Sequence, residues 1–188
     1  MREITHGSLF TGIGGIDLGF EWAGIETKWQ VEIDDYCQKL LSIRFPHPKK
    51  FTDVRKVGSH NLEKVDIISG GFPCPAFSQA GKRGGFEQDD LFYEMIRVCD
   101  ERKPKAIVFE NVEGFKKWTK TLRQEIENIG YEWGDAIFDA RDFGIPQARR
   151  RYFAVCIQRG VLFGSQYLRR IQRKKDSSIY GLQPNNKN

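Results

Sequence analysis

No run of about 18 consecutive apolar residues occurs in this 188-residue chain, so no stretch of it reads as a membrane-spanning helix. The first residues pass straight into patterned sequence, with no apolar signal-peptide core. Cysteine is scarce and scattered. Cys37, Cys74, Cys99 and Cys156 show no C-x-x-C spacing, which speaks against a zinc site or disulfide framework and predicts no metal. A reduced cytoplasmic setting is the expectation that follows. Internal repeats are lacking, and low complexity is confined to the last stretch, Ser177 to Asn188, which reads as disordered. The length suits one α/β domain with a full core. A formal net charge of +5 suits a polyanionic partner without establishing one.

Glu3 to Phe10 reads as a first strand, running into Thr11-Gly12-Ile13-Gly14-Gly15 and a helix from about Ile16 to Ala23. Strand, glycine turn and helix form the nucleotide-facing corner of a Rossmann-like unit. The third glycine of the dinucleotide fingerprint is missing, since Asp17 stands in its place, and a lone G-x-G is weak. A second strand, about Thr27 to Ile33, carries Glu32, which lies 20 residues beyond Gly12. An acidic residue there commonly accepts hydrogen bonds from ribose hydroxyls, although an ordinary charge at a strand end reads the same way. Asp34 to Phe45 looks helical, with Tyr36, Leu40 and Ile43 as its buried stripe, and Pro46 and Pro48 end it.

Val65 to Ile68 then leads, breaking at paired glycines, into Gly70-Gly71-Phe72-Pro73-Cys74-Pro75-Ala76-Phe77-Ser78. Glycine permits a sharp turn and close approach, and each proline stiffens the loop. Such a loop is a sound mount for a nucleophile that must be held in attack geometry. Pro75 to Asp90, with Gly81, Lys82, Arg83, Gly84 and Gly85, reads as a mobile basic lid or a plain surface loop. Leu91 to Glu101 is an amphipathic helix with Leu91, Met95, Ile96 and Cys99 on one side. Lys105 to Glu110 is a short strand running into Asn111-Val112. By itself Glu110 reads as a surface charge. A helix follows over about Lys117 to Ile129, then strands over Tyr131 to Ala140 and Arg151 to Gln158. Between them lies Gly144-Ile145-Pro146-Gln147-Ala148-Arg149-Arg150-Arg151.

The Pro73-Cys74 loop with its Phe77-Ser78, Gly81-Lys82 and Gly85-Phe86-Glu87 continuation resembles the catalytic loop of the DNA cytosine-5 methyltransferases. Glu110-Asn111-Val112 and Gln147-x-Arg149-x-Arg151 are similar to later motifs of the same family, and the match keeps the family's motif order from about Ser8 to Phe153. The resemblance implies that Phe10, Gly12, Gly14 and Gly15 surround S-adenosylmethionine, with Glu32 on its ribose and Asp53 near its adenine. Pro73 and Leu91 match further cofactor-contacting positions. It implies Cys74 as nucleophile towards cytosine C6, Glu110 as the acid at N3, and Arg151 or Arg149 near O2. The target base, in DNA, must be flipped out of the duplex to reach Cys74. No residue stands out as the base for the C5 proton.

Two details depart from the family pattern: Pro75 follows the cysteine where many members have glutamine, and Gln88-Asp89-Asp90 lacks an Arg-Gly. A larger departure is length. After Gln158 only 30 residues remain, too few for the family's target-recognition domain, and its late Gly-Asn motif is not found. Residues 1–158 are therefore expected to form the catalytic and cofactor-binding domain. Residues 159–188 form a basic tail that touches phosphates or is a solvated helix end. Four readings follow: a minimal DNA methyltransferase; one chain of a split enzyme whose recognition comes from a second polypeptide; a non-catalytic relic binding S-adenosylmethionine or DNA; and an enzyme acting on tRNA. A bacterial or phage origin with restriction-modification is the expected setting. The expected fold is Rossmann-like α/β, a mostly parallel sheet with helices on both faces, and ligands at the strand C-terminal ends.

Overall fold

A computed structural model describes residues 3–73 and 91–161, with backbone alone at Lys117. Among these residues one sheet holds β1 (Thr5–Leu9), β2 (Glu26–Val31), β3 (Lys49–Phe51), β4 (Ile67–Gly70), β5 (Ala106–Val112), β6 (Tyr131–Asp139) and β7 (Arg150–Gln158). The order across it is β3-β2-β1-β4-β5-β7-β6. β1 to β5 run parallel, and β7 lies antiparallel between β5 and β6. Helices α1 (Gly15–Trp22), α2 (Asp35–Arg44), α3 (Leu91–Arg102) and α4 (Thr119–Asn128) accompany it. This is the expected Rossmann-like, mostly parallel sheet. Among the described residues no helix is long and apolar enough to cross a membrane.

Strand order reverses between β1 and β4, where the chain first builds outward through β2 and β3 and then returns to build the other way. In open α/β sheets the crevice at such a reversal is where ligands bind. Leu9 pairs with Gly70, so the loops leaving β1 and β4 emerge side by side. One carries Phe10 to Gly15 and the other leads to Cys74, which lies outside the described residues along with the lid.

The two sheet faces differ in chemistry. Leu9, Val31, Ile68, Ile107 and Phe109 share one face and are buried against Phe92 and Met95 of α3, and Leu122 and Ile126 of α4 join the same cluster. Each such aliphatic or aromatic side chain contributes about 1.5–3 kcal/mol on burial. Gly70 belongs here for want of room, since a Cβ on it would stand 2.6 Å from Met95 Sδ. The opposite face of β1 carries His6 and Ser8 and is covered by α1, whose Phe20 stacks on the His6 ring at 4.1 Å. His6 is fully buried between Thr27 Oγ1 and Ser69 Oγ, each 2.8 Å away. Burial pushes its pKa down to about 3, so the ring is neutral at ordinary pH.

Several local expectations are corrected. In α2 the buried residue is Leu41, followed by Phe45 at the helix end, while Tyr36 and Ile43 are 68% and 80% exposed and Leu40 is half-buried. Polar bonds set that face: Asp34 caps the helix through Cys37 N, and Gln38 donates to the carbonyls of Glu32 and Phe51. β4 runs two residues further than the apolar run suggests, taking in Ser69 and Gly70. The helix read from Lys117 opens as a 3-10 turn, Glu113–Trp118, before α4 begins. Strand β3 has no apolar run, being Lys-Lys-Phe at the sheet edge.

Candidate active site

The loop after β1 turns back on itself at once. Phe10 takes φ 52°, an uncommon conformation for a bulky side chain, and Gly12 and Gly14 have φ 57° and 86°. Gly14 caps α1 without a side-chain bond, so the first turn of the helix presents backbone N–H groups. Nothing lies within 4 Å of where a Cβ would stand on Gly12 or Gly15. Glu32, just beyond β2, closes the corner. Its Oε2 accepts from Gly12 N at 2.6 Å and its Oε1 from Asp34 N at 2.9 Å. Glu32 N donates to Phe51 O, which ties this corner to β3. Asp53 stands two residues beyond β3, half-buried, its carboxylate held by Arg55 at 2.9 and 3.1 Å and by Arg55 N. Those bonds, the Arg55 side chain first, hold its pKa below the usual carboxylate range.

An open glycine loop at a helix N-terminus, beside a carboxylate held by two backbone amides, fits an adenosyl group whose ribose diol can donate to Glu32. Pro73 is exposed at the head of the next loop, and Leu91 opens α3, half-buried against the core.

The second half of the site is built on β4 and β5. Phe72 is 2% exposed and wedged between Phe92 and Phe115 at ring separations of 5.3 Å. It anchors the loop two residues before Cys74. Asn111, buried on β5, donates its amide to Phe72 O at 3.1 Å. Thus the strand carrying Glu110 also holds Phe72, two residues before Cys74 in the sequence. Glu110 itself lies one residue earlier, half-buried, with Oε1 3.0 Å from Arg151 Nε on the neighbouring β7. Burial pushes the Glu110 carboxyl upward, and the charges of Arg151 and Arg149 pull against it. Arg149 is exposed and Arg151 half-buried, so Arg151 is the guanidinium that touches the acid. Arg150 reaches the other way, to Glu113 at 3.0 Å.

Three features of this geometry are not marked in the sequence. Asn111 reads there only as the middle of Glu-Asn-Val. Gly71 reads as a turn, yet a Cβ on it would stand 3.1 Å from Glu110 Oε2. The third is Asp17, which reads as a missing glycine and is fully buried. For Gly71→Ala, displacement of the carboxylate by a few tenths of an ångström should lower turnover about tenfold or more, since catalytic geometry tolerates little misplacement. Cofactor affinity should be unchanged; an equal loss of affinity would mean that the whole loop had moved.

Among the described residues no group of three or more His, Cys, Asp or Glu could hold a metal ion. The family model for C-5 cytosine-specific DNA methylases matches residues 4–184. The chain belongs to that family. It is 40% identical over 162 residues to the type II methyltransferase M1.ScrFI of Lactococcus lactis subsp. cremoris, covering 80% of this chain and 41% of that one. With M.HhaI of Haemophilus parahaemolyticus it shares 33% identity over 157 residues, covering 80% and 48%. A solved structure described as a prophage-encoded DNA modification methyltransferase of E. coli superposes with a TM-score of 0.72 at 26% identity, over 85% of this chain and 48% of that one. Spodoptera frugiperda DNMT2 gives the same TM-score at 20% identity, over 85% and 51%, a likeness of fold. The chain spans about half the length of the curated relatives it matches. Members of this methylase family take their methyl group from S-adenosylmethionine.

Proposed function

We propose that this chain methylates C5 of cytosine in DNA through a covalent bond between Cys74 and C6. The observation that carries the reading is the switch point. There Phe10 to Gly15, Glu32, the loop entering Cys74, and the Glu110–Arg151 pair all leave the same edge of the sheet.

C5 of cytosine is a poor nucleophile until the ring gains electron density. The Cys74 thiolate adds to C6, and the displaced ring electrons make C5 nucleophilic. Glu110, as the neutral acid, hydrogen-bonds at N3 and offsets the charge that builds there; its burial favours that form. Arg151, and Arg149 beyond it, stabilise charge on O2. S-Adenosylmethionine, held by Phe10, the Gly12–Gly15 loop, Glu32, Asp53, Pro73 and Leu91, supplies an electrophilic methyl group. Loss of the C5 proton and cleavage of the C6–Sγ bond then regenerate the thiolate. The target base is extruded from the duplex, because a base within the stack is out of reach of the loop.

A second reading has its own observation: the chain spans about half of its relatives' length. On that reading residues 1–158 catalyse while a second polypeptide supplies target recognition. One experiment tests the covalent step for both. DNA carrying 5-fluorocytosine has no C5 proton to lose, so the purified chain with S-adenosylmethionine should remain bonded to it through denaturing electrophoresis. If only a multi-component extract, and never the purified chain, gives the adduct, the split reading holds. No adduct in either setting overturns the covalent mechanism.

A further inference from the structure

Beneath α1 lies a polar cluster that neither the fold nor the chemistry above explains. Ser8, Asp17 and Gln30 are each at most 1% exposed. Asp17 Oδ2 accepts from Ser8 Oγ at 2.9 Å, and its Oδ1 accepts from Gln30 Nε2 at 2.9 Å. Ser8 and Gln30 face each other across β1 and β2. Thr11 Oγ1 stands 3.1 Å from Ser8 Oγ and 3.2 Å from Val31 O, so the loop's own hydroxyl extends the chain of bonds.

This arrangement runs against the economy of folding. The opposite face of the same strands is filled by Leu9, Trp29 and Val31, which shows that an apolar filling is available here. A buried carboxylate whose hydrogen-bond partners are neutral is costly even with the charge of Lys50 acting on it, and Gln30 Oε1 has no hydrogen-bond partner. Burial pushes the Asp17 carboxyl upward, while the bonds from Gln30 and Ser8 pull it back. Its place in the first turn of α1 gives it the favourable end of the helix dipole. Local rule-breaking of this kind concentrates where function needs a fixed geometry.

What the cluster touches indicates the need. Ser8 is two residues before Phe10, Gln30 two before Glu32, and Asp17 two after Gly15; Thr11 lies inside the loop. We infer that Asp17 is a positioning residue: its carboxylate bolts β1, β2 and the start of α1 together, so that Phe10, the glycine loop and Glu32 are held in cofactor-binding geometry before the cofactor arrives. Affinity then rises because less ordering remains to be done on binding. The inference rests on the proposal that this corner binds S-adenosylmethionine.

The test separates positioning from plain stability. Asp17→Ala takes away the acceptor of Ser8 Oγ and of Gln30 Nε2 and should lose both thermal stability and affinity. The triple variant Ser8→Ala/Asp17→Leu/Gln30→Leu removes the carboxylate and both its partners at once, Thr11 keeping its bond to Val31 O, and replacing all partners by apolar groups is nearly neutral for folding. Its melting temperature without ligand should therefore stay near that of the unchanged chain. Its dissociation constant for S-adenosylmethionine, by calorimetry, should rise about tenfold or more, the scale of one lost hydrogen-bonded anchor. Amide exchange at Gly12 to Gly15 should also quicken. A folded triple variant that binds the cofactor as tightly as the unchanged chain overturns the positioning role. If the triple variant does not fold, Asp17→Asn decides: affinity unchanged with lowered stability overturns the role, and weakened affinity supports it. If the unchanged chain itself does not bind S-adenosylmethionine, the reading of the corner fails, a distinct result.

Discussion

Cys74→Ala abolishes methyl transfer to DNA while leaving S-adenosylmethionine bound: that is the largest effect expected of any single change. Alanine cannot add to C6, so C5 never becomes nucleophilic, and of the other cysteines Cys99 and Cys156 are buried in the core. Removing the nucleophile of a covalent enzyme lowers turnover by about 10⁴-fold or more. Cofactor affinity should stay within about twofold, because Phe10, Gly12 and Glu32 are untouched and Phe72 still anchors the loop. Calorimetry with cofactor and a radiolabel transfer assay check the two halves separately. Residual transfer above about one per cent would exclude Cys74 as the nucleophile.

Glu110→Gln has the next largest effect. The amide can still donate a hydrogen bond at N3 but cannot give a proton, so kcat should fall about 10²- to 10⁴-fold. The pH profile supplies a second readout. Glu110 is competent as the neutral acid, and burial raises its pKa, so kcat/KM should fall as pH rises through that raised value. Arg151 opposes the rise, which gives its removal a definite sign. In Arg151→Ala the carboxyl pKa climbs further, and the descending limb should move to higher pH even as turnover drops for want of a charge near O2. A limb that keeps its position in both variants would assign it to another group.

Most of the scaffold is legible in the sequence because its signals are local. Gly24 and Gly130 stop helices, and short apolar runs mark β4 and β5. The candidate site's outline is legible too, since Phe10, Glu32 and Pro73 follow strands and Glu110 lies near the end of one. What stays hidden depends on register and packing between segments far apart in sequence. β3 is three residues with two lysines, and it exists as a strand only because β2 offers it an edge. Ile43 reads as core and is exposed because Gln38, bonded to two carbonyls, fixes which side of α2 faces inward. Gly71 matters through a neighbour on another strand, and Asn111 through a carbonyl 39 residues away. The fingerprint itself conceals Asp17: as an absent glycine it gives no hint of the carboxylate that β1 and β2 share.

The most direct test of the central claim is methyl transfer from labelled S-adenosylmethionine by the purified chain, with unmethylated duplex DNA and tRNA offered in parallel. The account predicts label in DNA, on C5 of cytosine, that disappears with Cys74→Ala and is absent from tRNA. Label in tRNA alone would contradict the substrate. Label in neither, with cofactor bound and no rescue by added cell extract, would contradict the catalytic claim itself.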